Sequence, residues 1–133
     1  TVPQGAVCLG FGVFAGCGKL RNVTVDESVD LSEERIFQGC PCLADENGLV
    51  IVNNVLYECC GNNTVVIIPE GVTRIGEGAF ETRERLKEVH IPNSVSCIGN
   101  GAFEGCSDLI VFASVDSSAK AYAEQNGIEF IVE

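Results

Sequence analysis

Two stretches of this chain repeat one another. Residues 68–86 read IPEGVTRIGEGAFETRERL, and residues 91–109 read IPNSVSCIGNGAFEGCSDL. Ile68-Pro69 returns as Ile91-Pro92, Ile75-Gly76 as Ile98-Gly99, Gly78-Ala79-Phe80 as Gly101-Ala102-Phe103, and Leu86 as Leu109. A fixed period of 23 residues is the sequence sign of a solenoid, because one such unit cannot bury its own apolar side and must stack on a neighbour.

The period extends toward the N-terminus. Residues 2–20, VPQGAVCLGFGVFAGCGKL, superpose without a gap: Val2-Pro3 on Ile68-Pro69, Leu9-Gly10 on Ile75-Gly76, Phe14 on Phe80, Leu20 on Leu86. A fourth, weaker copy begins at Val25, with Asp26 in place of Pro and Glu33 in place of Gly. The spacing predicts one domain over residues 1–133, with units at about 2–24, 25–47, 68–90 and 91–113. Between the second and third units lies an insertion of about residues 48–67. It reads as a β-hairpin, with Leu49-Val-Ile-Val and Val55-Leu-Tyr-Glu flanking Asn53-Asn54, a pair that tolerates the positive φ of a tight turn. Within each unit, a strand such as the one around Glu88-Val89-His90 alternates in and out. A proline then stops it, and the segment 100–106 has room for a short helical or 3₁₀ turn. Stacked in register, Phe14, Phe37, Phe80 and Phe103 form one continuous column, and Leu20, Leu43, Leu86 and Leu109 another. Residues 114–133 form a closing cap: a helix over 117–126 with Asp116 or Ser117 as N-cap and Gly127 beyond its end, then a strand at 128–132. No such cap precedes Val2: either Thr1 starts against solvent, or further repeats have been cut away, and the second alternative predicts an exposed apolar end able to self-associate.

At IPxxVxxIGxxAFxxCxxL the chain resembles the BspA-type leucine-rich repeats of bacteria, over residues 2–43 and 68–113. The resemblance implies a curved right-handed leucine-rich-repeat solenoid, β-rich with parallel ladders, secreted or displayed on a cell surface. It also implies a non-enzymatic role in binding proteins or cells, including adhesion. It carries no catalytic residues and no cofactor.

The charge serves solubility and excludes some partners. A net charge of -11 argues against nucleic acid as a partner and against anionic membranes. No apolar run is long enough to cross a bilayer. The first residue is Thr1 rather than Met, which suggests a processed or trimmed chain whose leader has been removed.

Motifs that suggest chemistry have simpler readings. The glycines around Gly10, Gly12, Gly16 and Gly18 resemble a phosphate loop, but Val13 and Leu20 stand where that loop needs Gly and Ser or Thr. Cys17, Cys40 and Cys106 share one repeat position, and Cys8 and Cys97 another, which predicts columns of small buried thiols. Cys40-Pro-Cys42 with Cys59-Cys60 lacks the usual zinc spacing, so no metal is expected. Asn22-Val-Thr24 and Asn62-Asn-Thr64 fit a glycosylation acceptor pattern, which carries no sugar by the usual route in a bacterial protein. The acids at Asp26-Glu27 and Asp45-Glu46 lack the array of a calcium loop.

Function is therefore expected on the outward face of the stacked strands, at Asn22, Thr24, Ile67, Glu88 and His90, and at the hairpin tip, Asn53 and Asn54. Ala113 falls at the same outward position by the 23-residue count. The partner would be a protein or cell-surface ligand. The alternative is a structural spacer or stalk with no ligand of its own.

Overall fold

The computed structural model describes residue 2, residues 5 and 6, and residues 8–133. Pro3, matched above to Pro69, lies outside them. The ordered elements are a 3₁₀ turn (Pro41–Leu43), β1 (Leu49–Val52), β2 (Val55–Cys59), β3 (Val65–Ile67), β4 (Arg74–Ile75), β5 (Glu88–His90), β6 (Cys97–Ile98), β7 (Ile110–Ala113), α1 (Ser118–Asn126) and β8 (Glu129–Val132). They make two four-stranded sheets, β1-β2-β4-β6 and β3-β5-β7-β8. Apart from the antiparallel β1–β2 pair, every ladder is parallel. From β3 to β7 the chain thus alternates between the sheets, one short strand in each per unit, whereas the described residues ahead of β1 hold only an isolated parallel bridge, Cys8 to Asp30.

The hairpin is present. Asn53 and Asn54 both take positive φ, 46° and 65°, and close a two-residue turn between β1 and β2. The far edge of β2 pairs with β4, Val55 to Arg74 and Leu56 to Ile75. β2 therefore extends the repeat ladder, and β1 is the added strand.

The expected helical turns are not helices. Each is a run of tight turns, as where the Ala79 N–H donates to Gly76 O and the Glu81 N–H to Gly78 O. The cause is a left-handed residue repeated in every unit: Gly12, Arg35, Gly78 and Gly101 have φ of 58°, 56°, 64° and 61°. Four residues on, Gly16, Gly39, Thr82 and Gly105 do the same, at 74°, 74°, 60° and 84°. A right-handed helix cannot run through such positions.

The phenylalanine column is real but broken. Phe14 stacks on Phe37 at 5.4 Å and Phe80 on Phe103 at 4.8 Å. Between the pairs, β2 brings Tyr57 edge-on to Phe37 at 5.1 Å. At the far end α1 brings Tyr122 edge-on to Phe103 at 5.8 Å. The core accordingly divides into two clusters, one around Ile36, Phe37 and Tyr57 and one around Phe80, Val89 and Val111. The leucine column divides with it: Leu86 and Leu109 are buried, whereas Leu20 and Leu43 are half-buried at the margin of the first cluster.

Two further expectations are corrected. β5 pairs with β7 in a register of Val89 to Val111 and His90 to Phe112, one residue shorter than the sequence repeat. Ala113 therefore points inward and is 2% exposed, and Phe112 takes the outward place. Cys8, Cys17 and Cys97 are exposed, not buried. Cys97 pairs with Arg74, one step before the isoleucine, on the side facing away from the core. Cys17 has no earlier unit over it among the described residues. Cys40 and Cys106 are buried as expected, and their thiols donate to Phe14 O at 3.0 Å and Phe80 O at 3.2 Å.

Candidate functional site

The sheet β3-β5-β7-β8 positions the site. Its inward side chains, Val66, Val89, Val111 and Phe130, lie opposite one another from strand to strand and pack into the second core cluster. The alternate residues must then face out. They form two rows across the strands: Val65, Glu88, Ile110, Glu129, and Ile67, His90, Phe112, Ile131. Ile67 is 69% exposed.

His90 sits at the centre of the second row. Its ring stacks on Phe112 with centroids 4.7 Å apart and planes 12° apart. Its Nδ1 lies 2.8 Å from Glu133 Oε1, and its Nε2 lies 3.9 Å from Glu88 Oε2. A shallow cavity of about 310 Å³ opens beside it, walled by Ile67, Pro92 and Asn93 with Glu70 and Glu133 at its edge. At the rim, Lys87 reaches Asp108 at 2.6 Å. The Lys87 hydrogen bond and charge hold that carboxyl below its usual range.

Three of the seven residues expected at the site come together here: Ile67, Glu88 and His90. The other four do not. Asn22 and Thr24 are exposed but belong to no strand of either sheet, and the Thr24 carbonyl accepts from Val2 N–H. Asn53 and Asn54 lie in the turn of the β1–β2 hairpin, in the other sheet. The Asn53 side-chain amide donates to Val25 O at 3.1 Å, and the Asn54 carbonyl accepts from Thr73 N–H at 2.8 Å. The tip is thus tied to its own chain. Phe112, Ile131 and Glu133 are at the site but were not expected there. A one-residue shortening between Leu109 and Val111 hides Phe112 from a strict 23-residue count, and nothing local in the sequence places β8 beside β7.

Four of the eight cysteines are poor candidates for a nucleophile. Burial pushes the thiols of Cys40, Cys59 and Cys106 up. Burial, with the nearby Glu58 carboxylate, pushes Cys60 up to about 11. A thiol held protonated is a poor nucleophile. The loop acids serve the backbone: Asp45 Oδ1 accepts from the N–H of Asn47 and of Leu49, and Asp26 Oδ1 from Ser28.

Comparison with known proteins adds one finding. The family described as BspA type leucine rich repeat region (6 copies) matches residues 49–124. The match takes in the hairpin and all of α1 but its last two residues. It leaves residues 2–43, where the resemblance was also read, outside it. No curated protein and no solved structure matches the chain. Families of this repeat type are generally non-enzymatic binding modules. The match spans more than half of the chain, and its strands pair at the spacing of the repeat, so the chain belongs to the BspA-type leucine-rich repeat family.

Proposed function

We propose that the chain is a segment of a solenoid and serves as a non-enzymatic binding module of a secreted or surface-displayed bacterial protein, acting in adhesion. Its binding surface is the outward face of β3-β5-β7-β8. One observation carries this reading: a row of apolar and aromatic side chains, Ile67, His90, Phe112 and Ile131, runs over four parallel strands and is left open to solvent at both ends. Exposed apolar rows rimmed by polar groups mark contact surfaces. The family's usual setting at cell surfaces supports the localisation.

The test is a protein and glycan array probed with the intact chain, then with Glu88→Ala/His90→Ala and with Ile67→Ser. A ligand that loses at least about tenfold in affinity with either variant, roughly 1.4 kcal/mol, supports the assignment. Unchanged binding by both variants removes the sheet face from consideration.

The spacer reading has its own observation. In the first unit, Gly12, Phe14 and Gly16 donate to the carbonyls of Glu34, Ile36 and Gln38 in the second. The matching carbonyls of Phe11, Val13 and Ala15 accept nothing among the described residues, and Phe11 and Val13 are exposed. This end is a row of acceptors, suited to an edge that presents N–H donors. Two such ends face to face would set acceptor against acceptor, so self-association there requires a different edge of the second copy. A chain with no ligand on the array that nevertheless sediments as end-to-end oligomers would favour the spacer.

A further inference from the structure

Resting on the sheet-face reading, we infer that the partner presents an extended, basic and apolar polypeptide segment to this surface. The four strands β3, β5, β7 and β8 contain Glu88 and Glu129 and no lysine or arginine. Glu133 follows β8 directly and Glu70 lines the adjoining cavity, while Lys87, which directly precedes β5, is paired with Asp108 at 2.6 Å. The whole chain carries -11, so neither the local nor the overall field favours an acidic partner. Apolar and acidic groups also alternate across the sheet. Glu88 on β5 and Glu129 on β8 are separated by Ile110 on β7, and the neighbouring row is Ile67, His90, Phe112 and Ile131.

The spacing narrows the conformation of the segment. Glu88 and Glu129 stand two strands apart, about 9.6 Å at ordinary strand separation. An extended polyproline-type segment repeats every three residues at about 9.3 Å and presents each third side chain to one side. Basic residues at every third position then meet Glu88 and Glu129, and the apolar residues between them cover Ile110 and Phe112. A pleated strand repeats at about 6.7 Å and misses this register.

The experiment uses fluorescein-labelled peptides repeating Arg-Pro-Val, with Glu-Pro-Val as the control, read by anisotropy against the intact chain. The inference expects binding of the basic peptide alone, weakened by added salt. Glu88→Gln/Glu129→Gln should weaken it by about three- to tenfold, as two partly exposed ion pairs imply. Glu46→Gln/Glu27→Gln, the same charge change in two exposed loops, should leave it unchanged. Equal losses from both double variants would show attraction to net charge and overturn the inference, as would no binding of the basic peptide. If the array ligand proves acidic or neutral and still depends on Ile67, the inference fails while the sheet-face reading stands. If no ligand responds to Ile67→Ser or to Glu88→Ala/His90→Ala, both fail.

Discussion

The positive-φ positions show what the repeat demands of single residues. Each unit needs two left-handed residues four apart, and glycine supplies six of the eight. The exceptions are Arg35 and Thr82. Arg35 has compensation: its guanidinium lies 3.2 Å from Glu77 and donates to Gln38 Oε1 at 2.7 Å. Thr82 has less, since it is exposed and β-branched, and its one hydrogen bond across units is made by its backbone N–H, to Glu104 O. A β-branched residue in this region is strained by about 1–2 kcal/mol, part of which glycine returns through a more flexible unfolded chain. Thr82→Gly is therefore expected to raise stability by roughly 0.5–1 kcal/mol, read as a higher urea midpoint at unchanged slope. A lower midpoint would mean that the threonine side chain makes a contact worth more than the strain.

At the scale of elements, the units are held by neighbours and α1 is held by its cap. α1 has nine residues, too few to persist in isolation. Ala119 and Ala123 are its buried residues, and small side chains let the helix lie close on the last unit. Its start is fixed by Ser117, whose Oγ accepts from Lys120 N–H at 3.2 Å and donates to Ser114 O at 2.6 Å. Its end is fixed by Gly127 at φ 65°. Ser117→Ala should cost about 1 kcal/mol, and Ser117→Asp should recover only part of that, because a carboxylate accepts from Lys120 N–H but cannot donate to Ser114 O. Because Tyr122 leans on Phe103, amide exchange should quicken in α1 and in the turns around Phe103. Faster exchange in the N-terminal units instead would contradict the division of the core.

At the scale of the molecule, two core clusters meet at the hairpin. Arg74 on β4 spans the junction: its guanidinium donates to Leu31 O at 2.9 Å and to Glu34 Oε1 at 2.7 Å. Glu34 in turn accepts from Glu77 N–H at 2.8 Å. Tyr57 on β2 enters the N-terminal cluster, 2% exposed, with its hydroxyl 3.4 Å from Leu31 O. Burial pushes that phenol up from 10 to about 12. The neutral phenol is the form the fold favours, so its contribution is complete below pH 10. It is lost as pH rises from 10 to about 12, because the unfolded phenol ionises first. The unmodified chain should lose stability more steeply across that window than Tyr57→Phe. Parallel slopes would place Tyr57 in contact with water.

The sequence by itself determined the period, the family, the hairpin with its Asn-Asn turn and the helix–strand tail. These rest on local chemistry: apolar spacing, residues that tolerate positive φ, and a serine able to cap. It also indicated Ile67, Glu88 and His90, because strand alternation fixes which side chains face out. Only the tertiary structure decided which outward residues share a surface. The register between β5 and β7 slips by one residue from the repeat, turning Ala113 in and Phe112 out. β8 docks beside β7 and brings Ile131 and Glu133 to His90. The hairpin tip is turned back onto Val25. Strand register and partner choice depend on how distant segments pack, and a repeat count contains no information about either.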